Sequence, residues 1–180
     1  RWANIDISRS TMSSWILETA EACKPLFNRL WEHLRKGPIM NMDETPVQVM
    51  NEPGRKNTTI SYMWVASGGE TGKKITLFSY APTRSGKEAE QLVGNFKGFL
   101  QTDGYKGYNA IENREGITHV GCLVHVRRKF IDASKAGNKK ISGTASTILS
   151  LIRKIYKIEN GLRVDFTNRT IPYEEYLEAR

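Results

Sequence analysis

The chain has 180 residues, of which 39% are hydrophobic and 26% charged, and its 27 basic residues against 19 acidic ones give a net charge of +8. This composition excludes a disordered chain, and no apolar run approaches the roughly 20 residues of a membrane span. Two cysteines, Cys23 and Cys122, are too few for a secreted disulfide scaffold, so we expect a cytoplasmic protein. The positive excess favours a polyanionic partner without proving one.

A long helix is predicted at the start of the chain. Apolar residues recur at three- and four-residue steps from Met12 to Leu34, and Gly37 and Pro38 end the pattern. Pro25 is expected to kink this helix or to begin a second one, because its ring removes a backbone donor. The first turns resemble the recognition end of a helix-turn-helix. A plain amphipathic connector is favoured, since that motif needs two helices.

Strands dominate the next part of the chain. We predict a first strand that carries Asp43, two runs at 58–67 and 75–80 joined by a glycine-rich loop, and later strands that end at Asp103 and span 118–122. The runs at 58–67 and 75–80 are apolar almost without alternation, which predicts strands buried on both faces. A capping-box pattern at 85–88 begins a crossover helix, and another helix is predicted at 124–136.

This element order predicts an α/β protein with a ribonuclease H-like mixed five-stranded sheet and flanking helices. We assign residues 1–37 to an N-terminal helical segment, 38–140 to the sheet domain and 141–180 to the start of a helical insertion. In the last segment, an amphipathic helix is predicted from Ala145 to Glu159, and loop signals follow from Gly161 to Pro172.

Asp43 and Asp103 are the candidate catalytic residues and metal ligands. The right-handed crossover rule places their strands parallel and adjacent, so that their carboxylates converge at one edge of the sheet. Mg²⁺ or Mn²⁺ prefers such oxygen ligands, and two ions about 4 Å apart can activate a water or a 3′-hydroxyl for in-line displacement at phosphate. Glu44 follows Asp43 and should point to the opposite strand face, so we interpret Glu44 and Thr45 as structural.

Three segments, MDETPVQV, LQTDGYKGYNAI and GCLVHVRRKFIDA, occur in this order along the chain. They resemble the three motifs of the transposases of bacterial insertion sequence sixty-six. The resemblance implies an Asp-Asp-Glu catalytic domain that cleaves and joins DNA strands with two metal ions, with Asp43 and Asp103 as the first two acids. The family's glutamate motif has no match here, and Glu159 is a disfavoured substitute. We therefore expect a fragment of a larger enzyme, inactive alone.

A basic cluster is predicted to contact DNA. Between Val124 and Lys140, six basic residues stand against a single acid, Asp132, for a balance of +5. The predicted phosphate contacts are His125, Arg127, Arg128, Lys129 and Lys106. Tyr105 and Tyr108 are candidates for base stacking, although core packing is equally compatible with Tyr108. His119, Cys122 and His125 also raise the possibility of zinc, which we disfavour because a closed site needs four ligands.

The resemblance also implies the partners: double-stranded DNA at the ends of the insertion sequence and at the target, further copies of the chain on DNA, and helper proteins of the same element. No membrane is involved, and the expected location is the bacterial nucleoid. Two other functions remain open. One is a metal-dependent nuclease of the same fold that cuts without strand transfer, and the other is a DNA-binding module without catalysis.

Overall fold

The structure is a computed structural model that describes residues 6–70, 72–136 and 143–167, without the side chains of 136 and 165–167. The chain divides into two compact units, Arg1–Val120 and Gly121–Arg180. The first unit contains nearly all of the sheet and its covering helices, and the second contains two further helices. The predicted three-part division at 37 and 140 remains a prediction.

Helix α1 spans Arg9–Arg35, close to the predicted limits. Ser8 caps it, because its hydroxyl accepts the backbone N–H of Thr11 at 3.1 Å. Pro25 lies inside one continuous helix, so the expectation that it begins a second helix is wrong. Most of α1 is exposed, and only Trp31 and Leu34 near its end are buried in the core. The last turns of α1 therefore anchor it to the sheet.

The sheet has five strands in the order β3-β2-β1-β4-β5. The strands are β1 Ile39–Gln48, β2 Ile60–Gly68, β3 Ile75–Ala81, β4 Gly98–Thr102 and β5 Ile117–Gly121. The central strand β1 is antiparallel to β2 and parallel to β4, and β2 is antiparallel to β3. The predicted mixed five-stranded, ribonuclease H-like architecture is confirmed.

Helices connect and follow these strands. They are α2 Gly86–Val93, α3 Asn109–Glu112 after a 3-10 turn at Lys106–Tyr108, α4 Leu123–Ala136 and α5 Gly143–Thr167. One of the two bonds of the predicted capping box is present, because the Ser85 hydroxyl accepts the N–H of Glu88. Helix α5 continues through Gly161 to Thr167, so the loop predicted from Gly161 is wrong over those residues. The rest of that loop, 168–172, and Lys139 and Lys140 of the basic cluster lie outside the described residues.

The hydrophobic core lies against one face of the sheet. Alternate strand residues such as Met42, Trp64 and Leu100 are buried there with Ala89 and Val93 of α2. On the opposite face, large apolar side chains are exposed, with Phe78 at 62% and Phe99 at 52%. The prediction that β2 and β3 are buried on both faces is therefore wrong: the apolar residues on the open face follow β propensity and not burial.

Candidate active site

Asp43 lies in β1, and Asp103 is the residue directly after the adjacent parallel strand β4. Ile39 pairs with Phe99 and Asn41 with Gln101, and each aspartate lies two residues beyond the last of these pairs. Side chains alternate along a strand, so Asp43 lies on the face of β1 that carries Asn41, and Asp103 lies directly after the end of β4. Asp43 is exposed and Asp103 is half-buried. The topology thus brings the two predicted acids together where β4 ends beside the central strand β1.

The carboxylate of Asp103 has a fixed orientation. Its Oδ1 accepts the backbone N–H of Tyr105 at 3.0 Å, and its Oδ2 accepts a hydrogen bond from Nη2 of Arg84 at 3.1 Å. The first bond closes an Asx turn directly after β4. Two donors, one on each oxygen, hold the plane of the carboxylate while leaving lone pairs on both oxygens for a further ligand.

Glu44 is the buried carboxylate of the site, with only 1% of its side chain exposed. Nε of Arg84 donates to its Oε1, and the hydroxyl of Tyr108 donates to its Oε2 at 2.6 Å. Asp43, its neighbour in β1, is exposed, so the two carboxylates lie on opposite faces as the alternation of a strand requires. The structural role of Glu44 remains a prediction.

The segment that follows Asp103 packs against Arg84 through Tyr105. Its sequence is Gly104-Tyr105-Lys106-Gly107-Tyr108. The guanidinium of Arg84 lies 3.8 Å from the centroid of the Tyr105 ring, and the Tyr105 hydroxyl donates to the Arg84 carbonyl at 2.6 Å. A side chain at Gly107 would meet the Tyr105 ring, because an added Cβ would lie 2.3 Å from its Cε1. Gly107 is thus required because the Tyr105 ring occupies the space that a side chain would need.

Tyr108 is fully buried. Its ring makes edge contacts with Trp64 and Tyr105, each at a centroid distance of 6.2 Å, and stacks on His119. A side chain in this position cannot stack on a nucleic-acid base. Of the two interpretations of Tyr108, core packing is therefore the correct one.

The pKa of Tyr108 and the pKa of Arg84 are both raised in the folded chain. Burial raises the pKa of its hydroxyl far above the usual value, and the hydrogen bond to Glu44 and the negative charges of Glu44, Asp103 and Asp43 raise it further. Both candidate catalytic aspartates thus act electrostatically on the same phenol. For Arg84, burial alone would lower the pKa, but the bond to Glu44 and the charges of Glu44 and Asp103 outweigh it and raise the pKa. Arg84 stays charged.

A second set of contacts supports the backbone at Asp103. The hydroxyl of Thr102 donates to the Asp103 carbonyl at 2.8 Å and lies 2.7 Å from Nε2 of His119. Nδ1 of His119 lies 2.8 Å from a carboxylate oxygen of Glu112. Both ring nitrogens of His119 are engaged, which leaves neither for zinc.

The chemistry of Asp43 and Asp103 fits a divalent cation of the Mg²⁺ type, because both side chains offer carboxylate oxygens at one strand edge. Within the described residues, however, no group of three or more histidine, cysteine or acidic side chains could hold a metal ion. Asp43 and Asp103 remain the predicted ligands, and no third metal-binding side chain is grouped with them among the described residues. Glu159, the disfavoured substitute, lies on α5 in the second unit, where it accepts a hydrogen bond from Arg163 at 3.2 Å.

The residues predicted to bind DNA fall in both units. Lys106 is exposed in the 3-10 turn after Asp103. In the second unit, α4 carries exposed Arg127, Arg128 and Lys129, whereas His125 is half-buried. A groove of about 490 Å³ separates α4 from α5 and is lined by Val124, Arg127, Ile131, Leu149, Arg153 and Tyr156. The described part of α4 has four basic side chains and one acidic one, and its DNA contacts remain predictions.

Arg84 was not predicted from the sequence. It lies in the loop between β3 and α2, 40 residues after Glu44 and 19 before Asp103. A lone arginine in a loop gives no periodic or motif signal. The nearby capping box explains only the start of α2, so no pattern in the sequence could have identified the ion pair.

The chain belongs to the IS66 family of transposases, because the model of that family, described as "Transposase IS66 family", matches residues 1–179. The predicted family is confirmed. The uncharacterized protein y4jD of Sinorhizobium fredii (strain NBRC 101917 / NGR234) is 31% identical over 170 residues, which cover 88% of this chain and 32% of that protein. A second protein of the same strain, y4qI, is 25% identical and is covered to 31% of its length.

The chain thus spans about a third of the length of these curated relatives. Among solved structures, it is similar to a chain of the cryo-electron microscopy structure of the simian T-cell lymphotropic virus intasome in complex with PP2A regulatory subunit B56 gamma. That similarity has 14% identity and a TM-score of 0.35, over 79% of this chain and 46% of the other. In the described part of the chain, no helix has the length and apolar character needed to cross a bilayer.

Proposed function

We propose that this chain is part of the catalytic domain of a DNA transposase that cleaves and joins DNA strands by metal-dependent phosphoryl transfer. The observation that carries the proposal is the matched position of Asp43 and Asp103 at the edge of parallel β1 and β4, in a member of the IS66 family. Two acids on adjacent strands are the arrangement that a phosphoryl-transfer site with divalent metals needs. The third acid would come from a part of the protein not included in these 180 residues.

Asp43 and Asp103 would hold Mg²⁺ or Mn²⁺, and the bound metal would supply charge stabilisation at the scissile phosphate and lower the pKa of the attacking hydroxyl or water. The chain's own residues prepare this site. Arg84 and the backbone N–H of Tyr105 orient the Asp103 carboxylate. The Thr102 hydroxyl supports the same turn from the Asp103 carbonyl. A preoriented carboxylate avoids a reorganisation cost during the reaction.

Double-stranded DNA is the proposed substrate, at the ends of the insertion sequence and at the target. The exposed basic side chains of α4 and Lys106 favour this partner, because neutralising phosphates releases counterions. We extend the proposal to a homo-oligomer assembled on DNA, to helper proteins of the same element and to action at the bacterial nucleoid. The family assignment supports these parts of the proposal.

The test uses the full-length protein with DNA that carries the ends of its insertion sequence. Asp43→Asn and Asp103→Asn should each abolish Mg²⁺-dependent cleavage and strand transfer while the fold is retained, as judged by circular dichroism. Asp6→Asn, the same chemical change at an exposed residue in front of α1, is the matched control and should retain activity.

The products separate the candidate functions. Joined DNA identifies a transposase, whereas cleavage without joining identifies a metal-dependent nuclease of the same fold. DNA binding without any metal-dependent product identifies a non-catalytic module. Wild-type cleavage by Asp103→Asn would refute the proposed site.

A further inference from the structure

Arg84 lies between two carboxylates and bonds to both. Its Nε donates to Glu44, and its Nη2 donates to Asp103 Oδ2 at 3.1 Å. We propose that Arg84 is a positioning residue, which sets the orientation of the Asp103 carboxylate toward a divalent cation and is itself fixed by Glu44. This inference rests on the proposed function, because it takes Asp103 as a metal ligand.

Arg84 is restrained on several sides. Glu44 is anchored by Tyr108 at 2.6 Å, so the carboxylate that holds Nε of Arg84 cannot turn away. The guanidinium also lies over the Tyr105 ring, and the Tyr105 hydroxyl holds the Arg84 carbonyl. A planar guanidinium can bond two carboxylates at once and stack on an aromatic face. A lysine ammonium keeps the charge but cannot reproduce this geometry.

The bonds at Asp103 match a positioning role. Tyr105 N–H bonds one oxygen and Arg84 bonds the other, so rotation of the carboxylate would break both contacts. Arg84 cannot bind a metal, since a guanidinium has no free lone pair at the pH of the cell. It acts through Asp103. Groups that orient a ligating side chain are typically worth about 10- to 100-fold in metal affinity or activity.

The charges of the site are compatible with this role. A lone cation beside a metal site would repel the metal, but three carboxylates, Asp43, Glu44 and Asp103, act on the same phenol. Together with one guanidinium they leave an excess of negative charge. Glu44 offsets the charge of Arg84, so that Arg84 can bond Asp103 without making the site repulsive to a divalent ion.

The experiment compares two arginine-to-lysine changes in the full-length protein. Arg84→Lys keeps the charge and removes the planar fork. Arg55→Lys is the matched control, because Arg55 also pairs with a half-buried glutamate, Glu52 at 3.2 Å, and bonds the buried Ser61 hydroxyl. That pair lies at the turn between β1 and β2. Mn²⁺ binding is measured by calorimetry, DNA cleavage at saturating Mn²⁺ by kcat, and stability by Tm.

Arg84→Lys should weaken Mn²⁺ binding by about 10-fold and lower kcat by about 10-fold or more, and added Mn²⁺ should not restore kcat. Arg55→Lys should lower Tm and leave both other quantities unchanged. Glu44→Gln should also lower kcat, because a neutral amide holds the Arg84 guanidinium more weakly than a carboxylate does, and it serves as the second variant if Arg84→Lys does not fold.

Two outcomes overturn the proposal, and they are distinguishable. If Arg84→Lys and Glu44→Gln change Mn²⁺ affinity and kcat no more than Arg55→Lys does, Arg84 is only structural, and the proposed function stands. If the unaltered protein binds no Mn²⁺, or if Asp103→Asn cleaves like the wild type, the proposed function itself fails and the role of Arg84 fails with it.

Discussion

Asp103 follows Asp43 by sixty positions, and sixty is also the register offset of β1 and β4, since Ile39 pairs with Phe99 and Asn41 with Gln101. The two aspartates therefore have the same sequence offset as the paired residues, and each lies two residues beyond the last pair of the ladder. Parallel strands lie about 4.8 Å apart, a spacing over which two carboxylates can share an ion. The number of residues between the two motifs therefore equals the offset that the pairing of β1 with β4 requires.

The chain of 180 residues should not nick DNA by itself. Only two of the implied acids are present, and the described residues offer no group of three metal-binding side chains. Supercoiled plasmid incubated with the purified chain and Mg²⁺ should stay supercoiled in a gel assay. Robust nicking that is lost in Asp43→Asn would show that a third acid is dispensable.

Gly107→Ala should destabilise the chain by about 1–3 kcal/mol, the usual cost of forcing extra atoms into a packed region. The added Cβ would lie 2.3 Å from Cε1 of Tyr105, so the ring must leave its place over Arg84. Gly121→Ala is the control, because an added Cβ there meets nothing within 4 Å. Urea unfolding measures both. Equal stabilities of the two variants would mean that Tyr105 relaxes at no cost.

The site could be predicted in part. Asp43 and Asp103 could be predicted from the sequence, because each belongs to a contiguous motif and the crossover rule places their strands side by side. The role of Arg84 could not be predicted from the sequence, because its partners are 40 and 19 residues away and only the folded loop brings it into contact with them. Helix α3 has four residues, too few for a periodic pattern, and Gly161 did not end α5 because a glycine costs only about 1 kcal/mol in a helix.

Stability should fall at alkaline pH because of Tyr108. Its pKa is raised in the folded state above the usual value of 10.0, so below pH 10 both states keep the proton and the stabilisation is complete. Above that pH the unfolded chain releases the proton while the native state keeps it. The free energy of unfolding should then drop by about 1.4 kcal/mol per pH unit for this group.

Tyr108→Phe removes this titration. Urea unfolding at pH 9, 10 and 11 should show a slope that is shallower by about one proton in the variant than in the wild type. At neutral pH the variant should also lose about 1–3 kcal/mol, because the nearly inaccessible Glu44 loses one of its donors. Parallel slopes for the two proteins would contradict the assignment.

The basic face of α4 should carry much of the DNA affinity. Arg127, Arg128 and Lys129 are consecutive and exposed, and contacts with phosphate depend on charge and not on base sequence. Changing all three to alanine should weaken binding to unrelated duplexes to a similar degree, and each lost contact should lower the log-log salt slope by about one unit. Fluorescence anisotropy over a salt series measures both quantities.

The matched control removes the same charge elsewhere. Lys56, Lys73 and Lys74 are exposed at the turns of the β1–β2 and β2–β3 hairpins, and their change to alanine lowers the net charge equally. If net charge alone drives binding, the two triple variants will lose affinity equally. If α4 provides specific phosphate contacts, only the α4 variant will show a shallower dependence of log affinity on log salt concentration. Unchanged affinity and slope in the α4 variant would make this face a solvated helix surface and require a DNA path elsewhere on the protein.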